Sequence, residues 1–178
     1  ITVSFADSLP SFPKARTVLT GNPVRAEVLA ATRRDPAYAR AAFGLSSRLP
    51  VVLVTGGSQG ARRLNQVVAS ALPQLLPYCQ VLHVSGELTF EATRALAARM
   101  LADTPELGAR YVLTPYLKTE MPDALAACDI ALCRSGAATL TELAIVGRPS
   151  VLVPLPPGFT GSPQEVNAAM FQRAGAAE

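Results

Sequence analysis

The feature that most constrains this chain is a repeated alternation of short, continuous apolar runs with longer alanine-rich stretches. Pro50-Val51-Val52-Leu53-Val54-Thr55 ends at Gly56-Gly57, and Gln80-Val81-Leu82-His83-Val84 ends at Ser85-Gly86. Such runs are too short for helices and lack polar alternation, so they read as strands buried on both faces. Residues 110–113, Asp129-Ile130-Ala131-Leu132-Cys133 and residues 149–153 repeat the pattern. Between them, residues 61–72, 89–101, 121–127, 138–146 and 162–173 read as helices, with Pro73 stopping the first and Gly147 closing the fourth. Helices between successive buried strands require a parallel sheet covered on both sides. The expected fold class is α/β, a Rossmann-like doubly wound parallel sheet.

The first 45 residues break this rhythm. Two short strands, 2–5 and 17–19, flank a proline-rich connection, and Gly21-Asn22-Pro23-Val24-Arg25 turns into a helix. Residues 1–20 therefore read as a linker or the remnant of a preceding domain, and residues 21–178 as the main domain, which stops at residues 175–178 where a following strand is expected and so reads as truncated at its C-terminus. The chain opens on Ile1, which suggests a fragment or a processed chain. Asp7, Pro10 and Pro13 interrupt any secretory signal at its start.

Composition narrows the function classes. Of the residues, 49% are hydrophobic and 16% charged, enough apolar surface for a core and too little charge for disorder. No apolar run reaches membrane-spanning length. The net charge is +3, and because Lys14 and Lys118 are the only lysines, arginine carries nearly all of the positive charge. These arginines are scattered and do not interleave with aromatics, so nucleic acid is not an expected partner. Cys79, Cys128 and Cys133 have no CxxC spacing, which favours reduced thiols and a cytoplasmic location. His83, the single histidine, lies in an apolar strand and reads as a hydrogen-bonded core residue. No ligand cluster suggests a metal, and no cofactor is expected.

Three loops carry the candidate chemistry, each at the carboxyl end of a strand, where ligands of open α/β sheets bind. Thr55-Gly56-Gly57-Ser58-Gln59-Gly60-Ala61 reads either as a phosphate cradle at a helix start or as a tight strand-to-helix turn. It is neither a P-loop nor GxGxxG. Arg134-Ser135-Gly136-Ala137-Ala138-Thr139-Leu140-Thr141-Glu142 opens the next such helix. There Glu142 either accepts hydrogen bonds from a diol such as a ribose, or closes a capping box with Thr139. The third loop, residues 154–165, holds four prolines. In and after it, Gln164 and Asn167 either contact sugar hydroxyls or cap the helix and face solvent.

Four motifs then stand in order: Gly21-Asn22-Pro23-Val24-Arg25, Gly56-Gly57-Ser58-Gln59-Gly60-Ala61-Arg62, Cys133-Arg134-Ser135-Gly136-Ala137, and Pro154-Leu155-Pro156 with Gln164 and Asn167-Ala168. Together they resemble the C-terminal domain of the MurG family of N-acetylglucosaminyltransferases, over nearly the whole chain. The resemblance implies the C-terminal half of a two-domain GT-B enzyme, which moves N-acetylglucosamine from UDP-GlcNAc to lipid I, with inversion, to form lipid II in peptidoglycan synthesis. It implies that Arg25 contacts the nucleotide, Ser58 and its loop hold the diphosphate, and Leu117 presents backbone groups to uracil. It further implies that Ala137, Ala138, Thr139, Leu140 and Thr141 line the donor, Glu142 takes the ribose hydroxyls, and Gln164 takes the sugar hydroxyls.

The implied partners are UDP-GlcNAc, lipid I and the cytoplasmic face of a bacterial inner membrane, where the intact protein sits peripherally. Two departures stand out. Pro163 occupies a position where the family carries His or Gln. The family's Gly-Gly-Thr-Gly-Gly-His segment, on the acceptor side, is absent, as is the domain that holds the proposed base, so no catalytic residue is assigned and this piece alone is expected to be nearly inactive. Another GT-B glycolipid transferase, a non-catalytic UDP-sugar-binding module and a Rossmann dehydrogenase are the competing readings; the lack of GxGxxG counts against the last.

Overall fold

A computed structural model describes residues 1–12, 16–57, 61–155 and 164–178. A small parallel pair, β1 (Thr2–Val3) and β2 (Val18–Leu19), stands apart from the main sheet. Two short helices follow, α1 (Ala26–Ala31) and α2 (Pro36–Ala42). The sequence reading has one helix after Arg25. The chain breaks it at residues 32–35, because Asp35 accepts the Ala37 N–H at 2.8 Å and Pro36 takes the first helical position, where a missing N–H costs nothing.

The main domain alternates β3 (Val51–Thr55), α3 (Arg62–Leu75), β4 (Gln80–Val84), α4 (Phe90–Met100), β5 (Tyr111–Thr114), α5 (Met121–Ala127), β6 (Ile130–Cys133), α6 (Ala137–Val146), β7 (Ser150–Leu152) and α7 (Gln164–Arg173). Its five strands are all parallel, in the order β5-β4-β3-β6-β7. Residues 176–178 continue along the β7 edge: Leu152 N–H donates to the Glu178 carbonyl at 2.7 Å and Glu178 N–H to the Ser150 carbonyl at 3.0 Å.

The side chains of β3 sort the two faces. Val51 and Leu53 join Val28, Leu125, Leu140 and Leu143 in one core, under α1, α5 and α6. Val54 joins Leu64, Val68, Leu72 and Ala97 in the other, under α3 and α4. Strands that bury both faces explain the absence of polar alternation in the sequence. Pro73 corrects one expected boundary: it lies inside α3, which runs on to Leu75. Fully buried Leu72 and Leu76 hold that last turn, and Leu76 N–H still reaches the Leu72 carbonyl at 2.9 Å.

The chain leaves β3 toward β4 and β5, then returns to the other side of β3 for β6 and β7. The carboxyl ends of β3 and β6 therefore flank the point where the strand order reverses, the place where doubly wound sheets open a ligand crevice. Asp129 fixes the opposite end. Its carboxylate accepts from Arg40 Nη2 at 2.7 and 2.8 Å and from the Val51 N–H at 2.7 Å, tying α2 to the start of β3.

Candidate functional site

A cleft of about 400 Å³ opens between the carboxyl ends of β3, β4 and β6. Its floor is the sheet itself, through Leu53, Val84 and Ala131, with Thr55 and Gly57 at the exit of β3. One wall is the start of α6, through Ala138, Thr139, Glu142 and Leu143. Arg25, Tyr116, Leu117 and Met121 close the remaining sides. A concave, mostly apolar space with a few polar groups at its rim suits one small organic ligand.

Gly57 turns the backbone out of β3 with φ +82°, a left-handed conformation that glycine adopts without strain. Its N–H leans on Thr55 Oγ1 at 3.4 Å. Ser58, with Gln59 and Gly60, lies outside the described residues, as do Pro163 and residues 156–162 of the third loop.

Gly136 is the N-cap residue of α6, and no side chain caps the helix. The first internal bond is the Leu140 N–H to the Gly136 carbonyl at 3.0 Å. The leading N–H groups and the positive dipole end therefore stand at the rim of the cleft, where an anion is favoured. This start also excludes one of the two sequence readings of Glu142, the capping box. A capping box needs Thr139 at the N-cap, and Thr139 is already the third helical residue. Glu142 sits one turn further in, on the cleft face.

Glu142 is held from across the cleft. Arg25 Nη2 donates to its Oε1 at 2.9 Å and Arg25 Nε to the same oxygen at 3.3 Å, while Arg25 Nη1 reaches the Lys118 carbonyl at 3.4 Å. Leu117 is buried and lines the same cleft, and among the described residues no hydrogen bond is made to its backbone N–H or carbonyl.

Thus Arg25, Leu117, Ala138, Thr139 and Glu142, drawn from three separate stretches of sequence, share one cleft. The other expected residues stand differently. Ala137 is the first residue of α6, and its carbonyl accepts Thr141 Oγ1–H at 2.8 Å. Thr141 Oγ1 in turn accepts from Asn22 Nδ2 at 3.3 Å. The Leu140 side chain is fully buried in the core beneath the helix.

Gln164 starts α7, where its Oε1 accepts the Leu155 N–H at 3.2 Å. Its carbonyl accepts Ser135 Oγ–H at 2.8 Å, and Asn167 Nδ2 donates to the Ser135 carbonyl at 3.0 Å. The amide of Asn167 therefore staples α7 to the loop after β6. Tyr116 and Met121 line the cleft without having been singled out by any sequence motif. Only their positions, just after strand β5 and at the start of α5, hint at it.

His83 is fully buried, with Nε2 2.9 Å from Asn65 Oδ1 and Nδ1 3.0 Å from Tyr111 Oη, as its apolar surroundings in the sequence imply. Burial lowers its pKa to about 4, so the ring is neutral near pH 7. Burial likewise raises the Cys128 and Cys133 thiols to about 12, which leaves both unreactive at neutral pH. Among the described residues, no three His, Cys, Asp or Glu side chains gather as metal ligands.

Known proteins are similar to this chain in sequence and in fold. The chain is 47% identical over 161 residues to the UDP-N-acetylglucosamine--N-acetylmuramyl-(pentapeptide) pyrophosphoryl-undecaprenol N-acetylglucosamine transferase of Frankia casuarinae, covering 89% of this chain and 41% of that protein. The protein of the same name from Treponema denticola is 35% identical over 173 residues, covering 97% and 44%. The crystal structure of Acinetobacter baumannii MurG superposes with a TM-score of 0.64 at 29% identity, covering 90% of this chain and 43% of that one. The chain thus spans less than half the length of the relatives it matches, and its fold is that of one half of a GT-B enzyme. The sequence profile of the glycosyltransferase family 28 C-terminal domain matches residues 51–178, from β3 to the last residue, and the chain belongs to that family.

Proposed function

We propose that this chain is the donor-binding half of an inverting N-acetylglucosaminyltransferase that moves N-acetylglucosamine from UDP-GlcNAc to lipid I, forming lipid II. The observation that carries the reading is the cleft at the reversal of strand order, where Arg25 and Glu142 meet beside the uncapped start of α6. The relatives' printed names supply the donor sugar and the pyrophosphoryl-undecaprenol acceptor. In this reading residues 21–178 form the donor domain and residues 1–20 belong to the connection with a preceding domain.

The acceptor's C4 hydroxyl attacks the anomeric carbon from the face opposite the diphosphate, the C1–O bond to UDP breaks, and the configuration inverts. Negative charge grows on the departing diphosphate. Oriented N–H groups at helix starts, together with the loop carrying Ser58, stabilise that charge without reorganising. Glu142 holds the ribose, Leu117 the uracil edge, and Gln164 the sugar hydroxyls. The base that takes the acceptor's proton belongs to the preceding domain.

Among the described residues no helix is long and apolar enough to cross a membrane. The complete protein is proposed to act peripherally at the cytoplasmic face of a bacterial inner membrane. Transfer of labelled GlcNAc from UDP-GlcNAc to lipid I by the complete protein carrying this domain tests the reading. UDP-GlcNAc binding without transfer, to lipid I or any other acceptor, makes the chain a UDP-sugar-binding module instead.

A further inference from the structure

Residues 21–25 form a turn with little freedom of its own. Gly21 enters it at φ +74°, and Arg25, the N-cap residue of α1, leaves it at φ −65° and ψ 140°. Between them Pro23 fixes its own φ and favours extended backbone at Asn22. Two side chains of this turn hydrogen-bond to α6. Asn22 Nδ2 donates to Thr141 Oγ1 at 3.3 Å, and Arg25 Nη2 donates to Oε1 of the next residue, Glu142, at 2.9 Å.

The direction of the Asn22 amide follows from its neighbours. Thr141 gives its single hydroxyl hydrogen to the Ala137 carbonyl at 2.8 Å, so its oxygen can only accept and the amide nitrogen must face it. That leaves Asn22 Oδ1 for the Ser4 hydroxyl, just after β1, at 3.4 Å. Thr20, the residue before the turn, donates its N–H to the Val3 carbonyl at 3.1 Å. Asn22 is thus the joint between the β1–β2 pair and α6.

The helix does not depend on this joint, because Leu140 and Leu143 are fully buried in the core beneath it. The turn does. Gly21, Pro23 and Arg25 are exposed, and Val24 packs only in part against that core. Without the Asn22 bond, the long Arg25 side chain is aimed by its ion pair alone, and that pair opens once a ligand takes Glu142. The Asn22–Thr141 bond survives the exchange, because neither residue lines the cleft.

We infer that Asn22 is a positioning residue for Arg25: it pins residues 21–25 to Thr141, so that Arg25 stays aimed into the donor cleft after Glu142 turns to the nucleotide. The inference rests on the donor reading proposed above. Asn22 touches no substrate in this role.

The test is a double-mutant cycle read by calorimetric titration of the 178-residue chain with UDP, using the wild type, Asn22→Ala, Arg25→Ala and the double variant, with a thermal melt of each. Asn22→Ala is expected to weaken UDP about fivefold, the scale of one lost hydrogen bond between neutral groups. Arg25→Ala alone is expected to weaken it at least as much. In the Arg25→Ala background, Asn22→Ala is expected to change UDP affinity less than about twofold, because the group it aims is gone. A bond that only holds the turn together would act by equal factors in both backgrounds.

Unchanged UDP affinity in folded Asn22→Ala overturns the inference, as does an equal loss in the two backgrounds or an Arg25→Ala chain that binds UDP like the wild type. If Asn22→Ala does not fold, Thr141→Val, which removes the acceptor and keeps the shape, takes its place in the cycle with the same expectations. A wild-type chain that does not bind UDP overturns the donor reading and this inference with it, a result distinct from wild-type binding with an insensitive Asn22→Ala.

Discussion

Arg25 and Glu142 lie 117 residues apart in the chain and meet across the cleft, with Arg25 Nη2 donating to Glu142 Oε1 at 2.9 Å. In the proposed complex both side chains turn to the donor, so each serves as the other's partner until the nucleotide arrives. Arg25 is half exposed, with 48% of its side chain accessible, and Glu142 keeps 18%. A pair so open to water contributes at most about 1 kcal/mol to stability. Glu142→Ala should therefore leave the denaturation midpoint nearly unchanged while weakening UDP binding by about 1–3 kcal/mol, the loss of a charged acceptor. Equal UDP affinity in the folded variant removes Glu142 from the site.

Gly57→Ala isolates backbone conformation from packing. A Cβ at this position meets nothing within 4 Å among the described residues. The φ of +82° is what an L-residue resists, at a cost of about 1–2 kcal/mol. Because Gly57 lines the cleft, that strain is expected to relax by moving the turn, weakening UDP more than it lowers thermal stability. Thermal melts and titration on the same sample compare the two.

His83 makes the fold acid-sensitive in a defined window. The folded chain protonates this ring only near pH 4, against an ordinary 6.5 in the unfolded chain. Between those values the unfolded chain binds more protons. Stability therefore rises with pH through the window and is lost as pH falls from 6.5 toward 4, by about 3 kcal/mol in full. Urea denaturation at several pH values should show this slope in the wild type and lose most of it in His83→Gln.

Asp129→Ala should destabilise without touching ligand affinity. It removes the carboxylate that Arg40 and the Val51 N–H share, and leaves Arg40, 12% accessible, with only the Ala127 and Ser47 carbonyls. Because 43% of the Asp129 side chain is accessible, the expected loss is about 1–3 kcal/mol rather than that of a fully buried pair. Denaturant titration measures it, with unchanged UDP affinity as the companion result.

The sheet was the most legible part of the sequence, for a physical reason. Val51, Leu53 and Val54 between them serve two cores, so β3 is apolar from Val51 to Val54 and its pattern is unambiguous. Pro73 misled because local propensity was overruled by the burial of Leu72 and Leu76. The helix break at residues 32–35 was missed, although Asp35-Pro36 carries the cap and first-turn signal.

At the site, the start of α6 was legible from Gly136 and the small residues after it, whereas the choice between capping and ligand roles for Glu142 was not. Whether a capping box forms depends on which residue is the N-cap, a matter of one turn. The long-range pairing of Glu142 with Arg25 depends on topology that no local pattern carries. Asn65 left a trace in the sequence, a polar residue on an apolar stripe, but its partners came only with the register of β3, β4 and β5.

The measurement that tests the central claim most directly is calorimetric titration of this chain with UDP-GlcNAc, run beside UDP-glucose and NADH. Saturable binding that prefers UDP-GlcNAc, competed by UDP and abolished or strongly weakened in Glu142→Ala, is the predicted result. A folded chain that binds NADH in preference, or that binds UDP-GlcNAc no differently when Glu142 is replaced, would contradict the account.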